Sequence, residues 1–210
     1  MEAYLSLCAA ADAEFTERKS VFIGFAAPVT TEQEALEYIA SRRKRYADAT
    51  HNVYAYILRE NNICRFSDDG EPHGTAGLPV LDVLRKEGVT DAVVVVTRYF
   101  GGILLGAGGL VRAYTASAKQ AIDAAGRAEW AVCTHFAVSS DYSDHQKLSY
   151  YFRKNAIDVK DTSFSDIVIN ECIADVSRRE QISEDVSSIT NGKAKITFYE
   201  DVFVKREARP

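Results

Sequence analysis

The chain is poor in the residues that staple small proteins or anchor them to membranes. It has only four prolines and four cysteines in 210 residues. Cys8, Cys64, Cys133 and Cys172 are far apart and form no Cys-x-x-Cys pair. The usual metal-ligand spacing is therefore missing, and a disulfide framework is not expected in a chain of this size. Each cysteine reads instead as a small buried hydrophobe. No apolar run approaches the roughly 20 residues that span a bilayer. The short apolar stretch over residues 1–11 has no Lys or Arg before it, and Asp12 and Glu14 follow, so it does not read as a signal peptide. Leu7 before Cys8 is too large for a lipoprotein-type cleavage site. No membrane contact is expected, and the cytoplasm is the expected compartment. A net charge of -5 excludes a broadly basic surface but leaves room for a local basic patch.

Glycine is also scarce, except in one stretch. Nine of the 12 glycines lie between Gly70 and Gly109, so backbone freedom is concentrated there. The remaining composition, 47% hydrophobic and 26% charged, is that of an ordinary globular protein with one large or two small domains.

The pattern along the chain predicts an α+β fold. Residues 20–29 read as a strand that Pro28 helps to end. Thr30 or Thr31 caps a helix to about Arg45, with Glu34 three residues after Thr31 completing a capping-box pattern, and its last turn carries Arg42, Arg43, Lys44 and Arg45. These cations suit the helix dipole and water; the other reading is a basic patch for nucleic acid. Residues 51–58 and 63–66 read as a hairpin turning at Asn61-Asn62. A helix with Pro79 in its first turn runs from about Thr75 to Gly88. Residues 92–97 form a continuous apolar strand, and Gly109 opens an alanine-rich helix ended by Gly126.

After Gly126 the glycines almost vanish. Strands over 130–140, 156–162, 165–176 and 194–204, with helices over 143–155 and 178–188, give the strand–helix–strand–strand–helix–strand order of a ferredoxin-like domain. The expected domains are 1–127 and 128–210.

Two loops flank the central apolar strand. The first contains Ser67, Asp68, Asp69, Gly70, Glu71, His73 and Thr75. Four acidic or imidazole groups so close together raise the question of a divalent cation, but the alternation of an EF-hand is absent and adjacent aspartates seldom face one ion. A turn whose carboxylates satisfy backbone amides is the simpler reading, and no metal is expected. The second loop runs through Arg98, Tyr99, Phe100, Gly101, Gly102, Gly106, Gly108, Gly109 and Arg112. Amides of such a turn, with a helix N-terminus behind them, suit an anion. Arg98 and Arg112 would add charge, and Tyr99 beside Arg98 would stack a base. Yet Gly101 to Gly106 is followed by Ala107-Gly108 rather than Lys-Ser/Thr, and the sixth position from Gly106 is Val111, so both standard nucleotide fingerprints fail. Anion binding and tight packing of a strand–turn–helix junction both stand. No Gly-x-Ser-x-Gly elbow or Cys–His motif is present, and no catalytic residue is assigned.

Ser67-Asp68-Asp69-Gly70-Glu71-Pro72, Gly74-Thr75-Ala76-Gly77 and Arg98-Tyr99-Phe100-Gly101-Gly102-Ile103-Leu104-Leu105-Gly106 closely resemble the signature of the IMPACT family, in its bacterial, YigZ-like branch. The resemblance covers the whole chain. It implies an N-terminal domain similar to domain 2 of ribosomal protein S5 and a C-terminal ferredoxin-like domain similar to the last domain of elongation factor G. Eukaryotic relatives regulate translation through a further N-terminal domain that binds a partner, so that role is not carried over. His73 stands where members often have a small residue, which argues against catalysis there.

The expectation is a non-enzymatic RNA- or ribosome-associated protein, without cofactor, that modulates translation. The alternatives are a small-molecule enzyme holding a phosphate at the Gly101 to Gly109 turn and a protein-interaction regulator with its own protein partner.

Overall fold

The computed structural model describes residues 1–207. The first unit, Tyr4–Glu129, contains β1 (Tyr4–Leu7), β2 (Ala11–Glu17), β3 (Ser20–Pro28), α1 (Glu32–Arg45), β4 (His51–Leu58), β5 (Ile63–Ser67), α2 (Gly77–Lys86), β6 (Ala92–Tyr99) and α3 (Gly106–Ala125). β7 (Arg127–Ser140) leads into the second unit, Trp130–Lys205. The expected second domain extends to residue 210, and its last three residues lie outside the described ones.

The first unit is built on an antiparallel sheet in the order β2-β3-β6-β4-β5. β6 is its central strand, and both of its faces are covered. Val93 and Val95 pack with Phe25, Tyr56 and Ile39 on the α1 side. Ala92, Val94 and Val96 pack with Phe22, Val80, Tyr114 and Ala118 on the side of α2 and α3. A strand buried on both faces has no polar face, so the apolar run is continuous rather than alternating. Burying each such valine contributes about 1.5–3 kcal/mol.

α1 starts where the sequence places it. The Glu34 amide donates to Thr31 Oγ1 at 3.2 Å, and Glu34 Oε2 accepts from the Thr30 and Thr31 amides. Three of the four cations in its last turn are also held by the fold, as described below.

Two features differ from expectation. Residues 1–17 carry β1 and β2, which composition concealed. β2 alternates half-buried Ala11, Ala13 and Phe15 with exposed Asp12 and Glu14, a period of two over a segment that reads as merely charged. α3 opens at Gly106 rather than Gly109. The added residues form its first turn, whose amides need no intrahelical partner, so glycine's weak propensity matters less there.

The second unit follows β7 with α4 (Tyr142–Lys154), β8 (Asp158–Phe164), β9 (Val168–Asp175), α5 (Arg179–Thr190) and β10 (Lys195–Glu207). β9 pairs antiparallel with β7 and β8, and β10 pairs with β7, giving the order β10-β7-β9-β8. Phe136, Leu148, Phe152, Cys172, Ile182 and Val186 form its core. Burial pushes the Cys172 thiol up to about 12, with the Glu171 and Asp158 charges adding to the shift. Cys133 is buried as well, while Cys8 and Cys64 are half-buried. Among the described residues, no helix is long and apolar enough to cross a membrane.

Candidate functional site

The loop between β5 and α2 is closed by its two aspartates, which point in different directions. Asp68 Oδ2 accepts from the Gly74 amide at 2.9 Å, and its Oδ1 accepts from the Ala76 and Gly77 amides at 3.2 and 2.8 Å. Ala76, at the N-cap of α2, has no capping side chain of its own, so Asp68 caps this helix from eight residues upstream in the sequence. Burial alone would raise the Asp68 pKa. The three amides outweigh it and, with His73 nearby, hold the carboxyl below its usual range.

Asp69 turns the other way. Its Oδ1 takes Arg43 Nη2 at 2.5 Å and its Oδ2 takes the Asn52 amide at 2.6 Å. Its carbonyl accepts from His51 Nδ1 at 2.8 Å, so that nitrogen carries the ring proton. The Asp69 amide donates to Ser67 Oγ, and Thr75 Oγ1 donates to the Pro72 carbonyl. Gly77 lies where a Cβ would fall 2.7 Å from the Ser67 carbonyl group, so only glycine lets α2 begin against β5. Among the described residues, no group of three or more His, Cys, Asp or Glu could hold a metal ion.

Glu71 leaves the same loop and enters the protein body. It is 8% exposed, and its Oε1 accepts from Arg98 Nη1 at 2.5 Å and from the Tyr114 hydroxyl at 2.7 Å. Arg98 is 5% exposed. Its Nη2 reaches Ser20 Oγ at 3.5 Å, and its guanidinium lies 5.5 Å from the ring centroids of both Phe22 and Phe100. Burial first, and then the Glu71 charge, push the Tyr114 phenol far above its usual range, so it stays a neutral donor.

This placement corrects the reading of Arg98 as a surface cation. On β6 it shares the parity of Val94 and Val96, which face α2 and α3. A cation on that face needs an internal counter-charge, and Glu71 provides it. The sequence signal for the pair is this parity.

The second loop is different, because it is exposed. Gly101 is held against the β2–β3 turn, where a Cβ would fall 2.0 Å from the Lys19 carbonyl carbon. The Gly101 amide donates to Ser20 Oγ at 3.1 Å. Tyr99 is half-buried, with its hydroxyl on Asp48 Oδ1 at 2.9 Å. Phe100, Ile103 and Leu104 are exposed, Leu104 by 81%. Gly102 and Gly106 are exposed with positive φ, and Gly108 and Gly109 lie in the first turn of α3. No side chain caps that turn.

Arg112 projects from α3 back toward its amino end, since a Cβ on Gly108 would lie 3.7 Å from Arg112 Nη1. Arg112 is exposed and has no ion-pair partner among the described residues. Beside it lies a cleft of about 230 Å³ lined by Phe15, Glu17, Arg18, Leu105, Gly109 and Arg112. Arg18 and its neighbour Lys19 form the left-handed β2–β3 turn. Among the described residues, the ion pair of Arg18 is an exposed 3.9 Å contact with Glu17. Arg18 and Lys19 are not legible as part of this surface from the sequence, because nothing local links that turn to the glycine loop.

The basic run at the end of α1 is mostly engaged. Arg42 lies over the Tyr38 and Phe25 rings, Arg43 pairs with Asp69 and lies over Tyr54, and Arg45 lies over Tyr46. Lys44 is exposed. The residues read together from sequence therefore divide into two groups. Ser67, Asp68, Asp69, Glu71, Thr75 and Arg98 hold the two loops in shape. The loop tip, the α3 amino end, Arg112, Arg18 and Lys19 face outward.

Residues 18–122 match the family model described as the Impact N-terminal domain. Residues 138–193 match a domain of unknown function, DUF1949. The chain is 39% identical over 197 residues to IMPACT family member YvyE of Bacillus subtilis, covering 93% of this chain and 91% of that one. It is 43% identical over 108 residues to IMPACT family member YigZ of Escherichia coli, covering 50% of this chain and 53% of the relative. The likeness to Protein IMPACT of Rattus norvegicus is 37% identity over 98 residues, 45% of this chain and 31% of that protein. A solved crystal structure of a hypothetical protein aligns with a TM-score of 0.61 at 28% identity, covering 95% of this chain and 98% of the other.

Proposed function

The chain belongs to the IMPACT family, and from that premise we propose that it is a non-enzymatic protein that binds RNA, on the ribosome or free, and so modulates translation. The first unit is taken to be similar to domain 2 of ribosomal protein S5 and the second, over 128–210, to the last domain of elongation factor G. Both are parts of the translation machinery. The observation that carries the reading is the outward group around the amino end of α3. An uncapped helix terminus offers amides and a positive dipole end. Unpaired Arg112 lies over that terminus, and Arg18 borders the same cleft with Lys19 next to it in the turn. Phe100, exposed in the loop that leads into α3, would offer a ring face for stacking a base.

Arg98 has a different part in this reading. Its charge is neutralised by Glu71, so it supports the loop and does not touch phosphate. Binding of structured RNA or ribosomes by the Arg18→Glu/Arg112→Glu double variant tests the proposal. Affinity is expected to fall at least tenfold, with a shallower dependence on salt. Unchanged affinity and slope would remove this surface from consideration.

A protein-contact reading is favoured by one observation, the exposure of Ile103 and Leu104 at the loop tip. Leu104→Asp followed by pull-down after RNase treatment separates it. Loss of a partner that survives RNase would favour protein contact over RNA.

A further inference from the structure

The second unit has a cleft that the reading above does not use. α4 and the strand β8 enclose an open space of about 430 Å³, a size suited to a small ligand. His145, Ser149 and Arg153 stand at i, i+4 and i+8 on the α4 side of it, and Asn170 of β9 contributes to its lining from within the sheet. Asn170 is 1% exposed. Its Oδ1 accepts from Thr162 Oγ1 at 3.1 Å. Its Nδ2, which carries two N–H donors, is buried without a hydrogen-bond partner. His145 Nδ1 is also buried without one, while its Nε2 lies 3.4 Å from Ser149 Oγ. Buried polar atoms are nearly always satisfied, so two unmet ones around a single cleft point to a ligand, and the two N–H groups of Asn170 Nδ2 call for an acceptor on it.

The walls define that ligand further. Phe164 is 61% exposed, with the His145 ring edge-on to it at 5.5 Å and the Tyr142 ring at 6.3 Å. An exposed aromatic face held by two other rings suits a flat partner. Arg153 is exposed at the rim and has no ion-pair partner among the described residues. Asp158, the acid on the rim, is paired with Lys160. The β8 ladder shifts register between Val159 and Asp161 beside the cleft, and such irregularities often lie next to sites.

We propose that this cleft binds a carbonyl-bearing nucleobase, stacked on Phe164 with a ring carbonyl on Asn170 Nδ2 and the attached phosphate on Arg153. Uracil has the required acceptors, whereas adenine has no carbonyl to offer. A free nucleotide and an unpaired base in RNA share this chemistry. The site is separate from the α3 surface and does not depend on the RNA reading.

The test is titration of the full chain with uridine 5′-monophosphate, following the Asn170 side-chain amide by ¹⁵N–¹H NMR. A saturable shift is expected, larger than that from adenosine 5′-monophosphate or inorganic phosphate. Phe164→Ala, an exposed change that leaves the core intact, is expected to weaken binding at least fivefold, in keeping with the loss of one stacked base. A uridine oligonucleotide binding at least tenfold more tightly than the monophosphate would identify RNA as the source of the base. Equal affinity would identify the free nucleotide, and either result supports the cleft. No saturable shift with either ligand, an equal shift with phosphate alone, or an unchanged affinity in Phe164→Ala would overturn it. The Arg18→Glu/Arg112→Glu variant keeps this site intact, so failure here and failure of the RNA surface are read separately.

Discussion

Arg98 Nη1 donates to Glu71 Oε1 at 2.5 Å, and both side chains are nearly inaccessible to water. Glu71 lies in the loop before α2 and Arg98 near the end of β6, 27 positions apart in sequence. Their pairing ties the acidic loop before α2 to the glycine loop before α3. Removing one partner leaves the other charge buried, which typically costs about 3–5 kcal/mol. Arg98→Ala is therefore expected to lower the stability measured by urea unfolding by an amount in that range. The paired replacement Arg98→Met/Glu71→Leu should lose much less, since it removes both charges together. A cost below about 1 kcal/mol for Arg98→Ala, the level of an exposed pair, would contradict the burial argument.

Tyr114→Phe removes only the hydroxyl that donates to Glu71. The ring stays packed at right angles to Phe22, with centroids 5.3 Å apart. A hydrogen bond to a charged acceptor contributes about 1.5–3 kcal/mol, and a loss of that size is expected in thermal or urea unfolding. Stability equal to the parent would mean that Glu71 does not need this donor.

Asp68 gives the fold a dependence on acid. Its carboxyl is held below its usual range in the folded chain, so the unfolded chain takes up the proton first. The stabilisation is fully present above the unfolded value of about 3.9, and it is lost as pH falls through that value toward the folded one. Urea midpoints of the parent and Asp68→Asn, measured from pH 6 to pH 2, should differ most at the upper end and converge below about pH 4. A difference independent of pH would show that the charge is not what the three amides recognise.

Gly101 and Gly102 make a paired comparison. A Cβ at Gly101 would collide with the Lys19 backbone at 2.0 Å, whereas one at Gly102 meets nothing within 4 Å and is opposed only by a φ of +82°. Gly102→Ala should cost about 1–2 kcal/mol, the penalty of left-handed backbone. Gly101→Ala should cost more, because two backbone segments must separate. The order is checked by unfolding both variants under one set of conditions, and a reversed order would contradict the close approach.

Much of the architecture was legible from the sequence, because it rests on local signals. Thr31 and Glu34 announce α1, Pro79 sits in the first turn of α2, and the apolar run of β6 marks a strand covered on both faces. The carboxy-terminal order of strands and helices follows from period alone. What was not legible depends on contacts distant in sequence. β2 gains its meaning only from its pairing with β3, since three of its seven residues are acidic. Arg98 looked like a surface cation until its parity with Val94 and Val96 was set against the position of Glu71. Arg18 and Lys19 enter the outward group because the β2–β3 turn and the glycine loop meet at Gly101, which no spacing reveals. The unmet polar atoms of Asn170 and His145 come to one cleft only when α4 is laid beside the β8–β9 pair.

The most direct test of the account is the salt dependence of binding to structured RNA for the parent, Arg112→Glu and the Arg98→Met/Glu71→Leu pair. Arg112→Glu is expected to weaken binding and to lower the slope of log K against log salt by about one phosphate contact, roughly 0.7–0.9. The buried pair, once shown to be folded, should keep the parental slope. A parental slope in Arg112→Glu, or a reduced slope only in the Arg98→Met/Glu71→Leu pair, would contradict the division between the buried scaffold and the outward surface.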